Sequence, residues 1–450
     1  MSHYGSGSDG GGGFGVDLSV DRSDMLGWLA DYPRQLRALY PAGRRAAERL
    51  TARLGRYGLP RGCGEIGSCL VLGTGGGSAA AAYVAASLVR PRLSVPFVVA
   101  QGYDPPAFAV AVGAAVGAAE TATAAAPPFS VTAVGPARAR PLVLAVSHSG
   151  DTEETVSSFL QLERSLGAAP AGRPLAAAPA GRPLAAGPAG APLAAAPGET
   201  PGGTSPVAVV IAGGGKLAAA AERLALPLVQ LPTGMQARAA FPAILAAILG
   251  VLDGLGLTGR LTFERELEEA ACLAADLTAL WGPKPKRERA EEHPLELARR
   301  VHDRLLLVYG GAGATDGVAR RWKNQLAECG KTLAHWYSIP EAHHDEVVGW
   351  DAPAPVRERL FACLLRDGAA ETPRMARRME ATRRLLEERV LGPDRVVEVA
   401  ARGRSELART ISLCLFGDYL ACYVALQRGI DPTPVPVIVE LKEEMARARG

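Results

Sequence analysis

A short apolar run, a turn of glycine or small polar residues and a helical pattern follow one another repeatedly along this chain. CLVLGTGGGSAAAAYVAASLV (69–89), RPLVLAVSHSGDTEETVSSFLQLERSL (140–166), SPVAVVIAGGGKLAAAAERL (205–224) and DRLLLVYGGAGATDGVARRWKNQLAE (303–328) each carry this scheme. SVPFVVAQ (94–101), RLFACLLRD (359–367) and VVEVAA (396–401) read as further strands. Strands alternating with helices argue for an α/β fold with parallel, doubly wound sheets of flavodoxin-like or Rossmann-like type. The ligand site of such a sheet lies at the carboxyl ends of its strands.

At 450 residues the chain exceeds one ordinary core, and a hydrophobic content of 48% suffices for two α/β lobes. We divide it into a disordered tail (1–20), a first lobe (21–255), a charged helical connector (256–302) and a second lobe (303–450) that closes with helices over 406–430 and 436–448. Apolar residues at helical spacing between Leu26 and Leu59 predict one or two amphipathic entry helices ahead of the first strand. Within the first lobe, 167–204 forms a low-complexity insertion that contains three nine-residue units, APAGRPLAA, APAGRPLAA and GPAGAPLAA (169–195). With two prolines per unit and no large apolar face, these predict a flexible surface loop rather than a solenoid.

The balance of 49 basic and 46 acidic residues, with no dominant basic run, implies neither nucleic acid nor an anionic membrane as partner. Seven cysteines form no CxxC pair and no spaced metal set, as suits a reducing cytoplasm. The N-terminus lacks the basic and apolar regions of a signal peptide. The longest apolar stretch, 239–252, contains Pro242 and falls short of the roughly 20 residues a membrane span requires, so it predicts a buried helix.

Two regions carry chemistry. Ser147, Ser149 and Thr152 lie between an apolar run and a helix that starts near Glu153. Hydroxyls and free N–H groups there form an anion site, although the same residues also serve as an ordinary capping box. The earlier turn, GTGGGS (73–78), lacks the lysine of a P-loop and the acid of a dinucleotide fingerprint; a tight strand-to-helix turn is its plain reading. Arg238, at the entry to the apolar helix, suits stabilising an oxyanion or simply starting a helix. WKNQLAECGKTLAHWYSIPEAHHDEVVGW (322–350) places Glu328 sixteen residues ahead of His344. A partly buried glutamate and a histidine are a natural pair for proton transfer and ring opening, since both are readily tuned as acid or base. Adjacent His343 and His344 make a poor zinc pair, because neighbouring side chains point apart and no HExxH follows. No metal or cofactor is expected.

These segments resemble the bifunctional phosphoglucose/phosphomannose isomerases of the sugar isomerase (SIS) superfamily. SHSGDTEET (147–155) is similar to the family's SYSGNTEET, PTGMQARAA (232–240) to its Pro-x-x-x-x-Pro/Ala-Arg-Ala-Ala, and DPTPVPVIVELKEEM (431–445) to its Asp-Pro-Thr-Pro-Val ending. The resemblance implies two SIS-type lobes in one chain. It implies an aldose–ketose isomerase acting on glucose 6-phosphate or mannose 6-phosphate through a cis-enediol, with Ser147, Ser149 and Thr152 on the phosphate. The family's GMGGSG loop aligns with 73–78 so that Gly77 takes the place of its phosphate serine, with Ser78 one position later. Glu328 would move the proton, Arg238 would stabilise the enediolate, and Lys442 aligns with a C-terminal active-site lysine. The family's Asn-Glu-Asn-Ala-Lys reads Ala327, Glu328, Cys329, Gly330, Lys331 here, which keeps the carboxylate and loses both amides. His344 would open the ring from the neighbouring subunit of a homodimer with shared sites. Thr433 and Val435 receive no role. The alternative is a non-catalytic SIS module that senses a sugar phosphate; it would need neither Glu328 nor His344.

Loop closure free energy changes by only about 0.6 kcal/mol per doubling of length. Deleting residues 169–197 should therefore leave the thermal unfolding midpoint and the enzymatic activity nearly unchanged, measured by calorimetry and assay; a large drop in either would show that the repeats pack on the core.

Overall fold

The computed structural model describes residues 16–56, 66–110, 140–167, 206–259, 262–283 and 293–447. Of the tail expected over 1–20, residues 1–15 lie outside the described residues, as do the repeat units 169–195, whereas Leu18–Val20 form a 3-10 helix and Val16, Leu18 and Val20 pack against the core. Helix α1 (Met25–Ala30) begins where Asp21 accepts hydrogen bonds from the Met25 and Leu26 amides, at 2.8 and 2.9 Å, which satisfies two first-turn donors. The long α2 (Tyr32–Arg56) follows, so the two entry helices expected from the spacing are both present.

The first lobe then runs β1 (Ile66–Leu72), α3 (Gly75–Val89), β2 (Phe97–Ala100), β3 (Arg140–Ser147), α4 (Glu153–Gly167), β4 (Val207–Ala212), α5 (Gly215–Arg223), β5 (Leu228–Gln230) and α6 (Phe241–Gly254). All its strand pairs are parallel, in the order β2-β1-β3-β4-β5. Helices α7 (Glu264–Trp281) and α8 (Pro294–Arg300) lead to the second lobe. That lobe comprises β6 (Leu305–Gly311), α9 (Asp316–Glu328), β7 (Ala334–Ile339), α10 (Glu346–Gly349), α11 (Ala354–Arg357), β8 (Leu360–Arg366), α12 (Pro373–Leu385), β9 (Val396–Ala400), α13 (Glu406–Gln427) and α14 (Pro436–Arg447). Its sheet is again parallel, in the order β7-β6-β8-β9. The α/β class and the two parallel sheets agree with the sequence reading. Two strands, β5 and β7, escaped it: both lie at a sheet edge, where neither a long apolar run nor a clean alternation is required.

Apolar residues all round a helix predict burial on every side, and α6 and α13 have it. By length and composition α13 would cross a bilayer, yet 94% of its apolar window is buried inside the fold. A single core cluster runs from α1 and α2 through the first sheet, α6 and α7 to α9, α13 and the second sheet, so the lobes share one interior. Glycine permits the closest helix contact. A Cβ on Gly43 of α2 would fall 2.3 Å from the Ala247 carbonyl oxygen, and one on Gly250 of α6 would fall 2.2 Å from that of Tyr40.

Because backbone atoms rather than flexible side chains stand in the way, Gly250→Ala should push α2 and α6 apart. The expected cost is about 1–3 kcal/mol in chemical denaturation, of the size that overpacking brings; unchanged stability would show that the helix pair yields freely.

Candidate active site

The site forms where β1 and β3 end side by side. Register pairs Leu72 with Ala145, so the turn after β1 and the turn after β3 emerge at the same edge. Ser147, the last residue of β3, is fully buried, and its Oγ lies 2.8 Å from Thr152 Oγ1. The Gly150 amide donates to Ser147 Oγ at 3.1 Å, and Ser149 Oγ accepts from the Asp151 amide at 3.2 Å. Gly150 has φ +77°, and a Cβ there would lie 1.7 Å from the Gly214 carbonyl oxygen; glycine is required on both counts. The hydroxyls singled out in the sequence thus converge in one turn at the start of α4.

Across from them, the GTGGGS turn leads into α3, whose N-cap Thr74 makes no side-chain capping hydrogen bond. Ser78 is buried in the first turn of that helix, 4% exposed. Gly77 packs on the Ala237 carbonyl, where a Cβ would fall at 2.3 Å, so this turn also touches the segment that bears Arg238. His148 ties the same segment to the β3 turn through its Nε2, 2.9 Å from the Pro232 carbonyl oxygen, and burial pushes its pKa below the usual histidine value.

Glu328 ends α9 in the second lobe yet lies on the first. A Cβ added to Gly76 would sit 1.9 Å from Glu328 Oε1, so the carboxylate occupies the space this glycine leaves open at the start of α3. Arg238, only 2% exposed, brings Nη1 to 3.7 Å from Glu328 Oε2. Its Nη2 donates to the Pro432 carbonyl at 3.0 Å and to that of Thr433, and its Nε donates to Cys329 Sγ at 3.1 Å. Lys331, at φ +50°, donates from Nζ to the Glu328 carbonyl and, at 3.1 Å, to that of Pro432. Burial, and then the Arg238 charge, lower the Lys331 pKa. A groove of about 530 Å³ runs beside Glu328 and Lys331, walled by Ile430, Asp431 and residues 434–438.

Two expected residues make no side-chain hydrogen bond or ion pair with this cluster among the described residues. His344 is exposed and makes no side-chain hydrogen bond among the described residues. Its neighbour His343 is anchored on α12, with Nε2 2.8 Å from Thr382 Oγ1 and Nδ1 2.9 Å from Arg378 Nη1. The loop that presents His344 is held by Tyr309 donating to Glu346 and by Tyr337 donating to Asp345. Glu328 lies near the start of β7 and His344 beyond its end, and a six-residue strand spans about 20 Å. Lys442 is exposed on α14. No group of three His, Cys, Asp or Glu side chains suited to a metal occurs among the described residues.

Sequence reasoning passed over Gly76, Arg321 and Asp418. Arg321 is completely buried and pairs with Asp418 at 2.6 Å. It also donates to the Gly76 and Arg238 carbonyls, at 3.3 and 3.2 Å. An arginine in a helix rich in charge carries no local sign of this role; only the all-apolar surroundings of Asp418 in ISLCLFGDYLACYVAL hint that a buried cation must meet it.

The two parallel sheets thus carry a hydroxyl-lined turn after β3 and, at the neighbouring turn after β1, a carboxylate and a guanidinium from opposite lobes. Residues 290–445 match the family described as bacterial phospho-glucose isomerase C-terminal SIS domain. Over 308 residues the chain is 29% identical to the bifunctional phosphoglucose/phosphomannose isomerase of Caldicellulosiruptor bescii, covering 68% of this chain and 77% of that one. It is 27% identical to the protein of the same name from Aquifex aeolicus, covering 68% and 76%. The chain is therefore related to the bifunctional phosphoglucose/phosphomannose isomerases. Among solved structures, a hypothetical protein from Thermus thermophilus superposes with a TM-score of 0.59 at 17% identity, covering 94% of this chain and 90% of that one. Tagatose-6-phosphate ketose/aldose isomerase from Escherichia coli gives 0.56 at 13% identity, covering 90% and 93%. These two likenesses speak for the fold.

The atom that opposes a Cβ at position 76 is the end of a side chain that can swing away. Gly76→Ala should therefore keep the unfolding midpoint within a few degrees while displacing the Glu328 carboxylate, and should reduce hexose 6-phosphate turnover by about tenfold or more. Equal turnover in the variant would show that this placement of Glu328 is unimportant.

Proposed function

We propose that the chain is an aldose–ketose isomerase that interconverts glucose 6-phosphate or mannose 6-phosphate with fructose 6-phosphate in the cytoplasm. The observation that carries this reading is the carboxylate of Glu328 seated on Gly76 beside Arg238, at the strand edge where Ser147 and Thr152 converge. In this reading Ser147, Ser149 and Thr152 hold the phosphate, aided by the start of α3 at Gly77 and Ser78. Helix N-termini favour an anion through their free N–H groups and dipole.

The phosphate would anchor one end of the open-chain sugar and leave C1 and C2 near Glu328. The Glu328 carboxylate would take the proton from C2 of the aldose and return it to C1, passing through a cis-enediolate. Arg238 Nη1, the guanidinium nitrogen nearest Glu328, would stabilise the developing oxyanion. His344 would open the ring. Since about 20 Å of strand separates it from Glu328 within one chain, it would serve the site of a second copy. Apolar side chains at i, i+4 and i+8 along one face of α14 support this homodimer: Val437 is 73% exposed, Leu441 61% and Met445 47%. Lys442 would join the site from α14, about one turn beyond Ile438, which walls the groove beside Glu328.

Glu328→Gln keeps the shape of the side chain and removes the base. Turnover should fall by roughly 100-fold or more while hexose 6-phosphate binding persists. His344→Ala should lower turnover similarly, and mixing the two inactive variants under subunit exchange should restore activity in heterodimers. Full activity of Glu328→Gln would leave a sugar-phosphate sensor as the better reading; no recovery on mixing, with exchange proven, would remove the shared site alone. Because the C2-to-C1 proton transfer and the ring opening are both assigned to side chains, activity should also withstand EDTA, and loss on chelation with recovery on adding a divalent ion would overturn that assignment.

A further inference from the structure

We infer that Cys329 is a positioning residue for Arg238: its sulfur is the acceptor that fixes the guanidinium beside Glu328. The inference rests on the isomerase reading above. Arg238 has five N–H donors in a rigid fork. Nε goes to Cys329 Sγ at 3.1 Å, and Nη2 goes to the carbonyls of Pro432 and Thr433. That leaves Nη1, 3.4 Å from Gln236 Oε1 and 3.7 Å from Glu328 Oε2, as the end directed at the carboxylate. Two of the three guanidinium nitrogens are thus held from behind so that the third faces the place where charge would develop.

The sulfur is fixed in that role by the backbone. Cys329 is fully buried as the C-cap of α9, with its amide bonded to the Gln325 carbonyl at 2.7 Å. The neighbouring Cys422 thiol and the Arg238 charge hold the Cys329 thiol below the usual cysteine range against the opposing effect of burial. Cys329 Sγ thus accepts the Nε–H of a buried cation whose charge needs a partner. Being the next residue after Glu328, Cys329 also ties the base and the guanidinium to one rigid helix end. A carboxamide oxygen at this position can accept the same Nε–H bond.

The test compares Cys329→Ala, which removes the acceptor, with Cys329→Asn, which supplies one. Two ligands separate positioning from packing: 5-phosphoarabinonate, whose carboxylate mimics the enediolate, and sorbitol 6-phosphate, which carries the phosphate with no second charge. We expect Cys329→Ala to lower kcat about tenfold with KM within about twofold. By calorimetry it should bind 5-phosphoarabinonate about tenfold more weakly and sorbitol 6-phosphate within about twofold of wild type. Cys329→Asn should recover most of both losses. Unchanged kcat and ligand preference in Cys329→Ala overturn the inference. So does an equal weakening of both ligands, or a loss that Cys329→Asn fails to recover although it folds, since either would assign the cysteine to packing. Wild-type protein that binds neither ligand and turns over no hexose 6-phosphate would instead refute the isomerase reading on which the inference stands.

Discussion

Arg321, charge-paired with Asp418 inside the second lobe, holds that lobe in register with the first. Both side chains are wholly buried, and in such surroundings an uncompensated charge costs several kcal/mol. Arg321 answers this with contacts that span the fold. It binds Asp418 at 2.6 Å, the Tyr32 hydroxyl at 3.2 Å, and the Gly76 and Arg238 carbonyls at 3.3 and 3.2 Å, and it lies 3.6 Å over the Phe241 ring. Those partners come from α2, the start of α3, the entry to α6 and α13. One side chain of the second lobe therefore grips both backbone segments of the first lobe that shape the site.

Around that pair, proximity is set by residues that lack side chains. Gly76 admits the Glu328 carboxylate, Gly77 admits the Ala237 carbonyl, and Gly150 lets the hydroxyl turn lie on Gly214. Farther away, Gly43 and Gly250 bring α2 against α6. Each close approach shortens the path by which rigid helices fix a polar group, and a site on such elements is held more tightly than one on loops. The arrangement also explains why Glu328 can serve a sheet to which its own helix does not belong: α9 packs along α3, with the Ser87 hydroxyl 3.1 Å from Asp316 Oδ1 near its start and Gly76 against Glu328 at its end.

The two histidines of the 341–346 segment show how little adjacency says about role. His343 is bound between Thr382 and Arg378, and its pKa is lowered by burial first and by the Arg378 charge second. His344 faces solvent from the same turn. An exposed imidazole beyond the end of β7, with Glu328 near the start of that strand, fits the proposed sharing of sites between two copies.

The amino-acid sequence by itself determined the elements and their class. Apolar runs, glycine turns and helical periodicity act over a few residues, so strands, helices, the hydroxyl turn at 147–152 and the parallel alternation were legible locally. Resemblance supplied the candidates Glu328, Arg238 and His344 from short motifs. Only the tertiary structure decided which side chains meet. Arg320 and Arg321 are neighbours in sequence, yet one lies partly exposed over Tyr83 while the other is sealed against Asp418, 97 residues away. Glu328 rests on a glycine 252 residues earlier in the chain, and Cys329 takes the Nε–H of an arginine 91 residues earlier. Edge strands such as β5 and β7 depend on the neighbour they pair with as much as on their own residues. Contacts at such separations are chosen by how whole helices and sheets pack, and packing sums the interactions of many residues that no single segment contains.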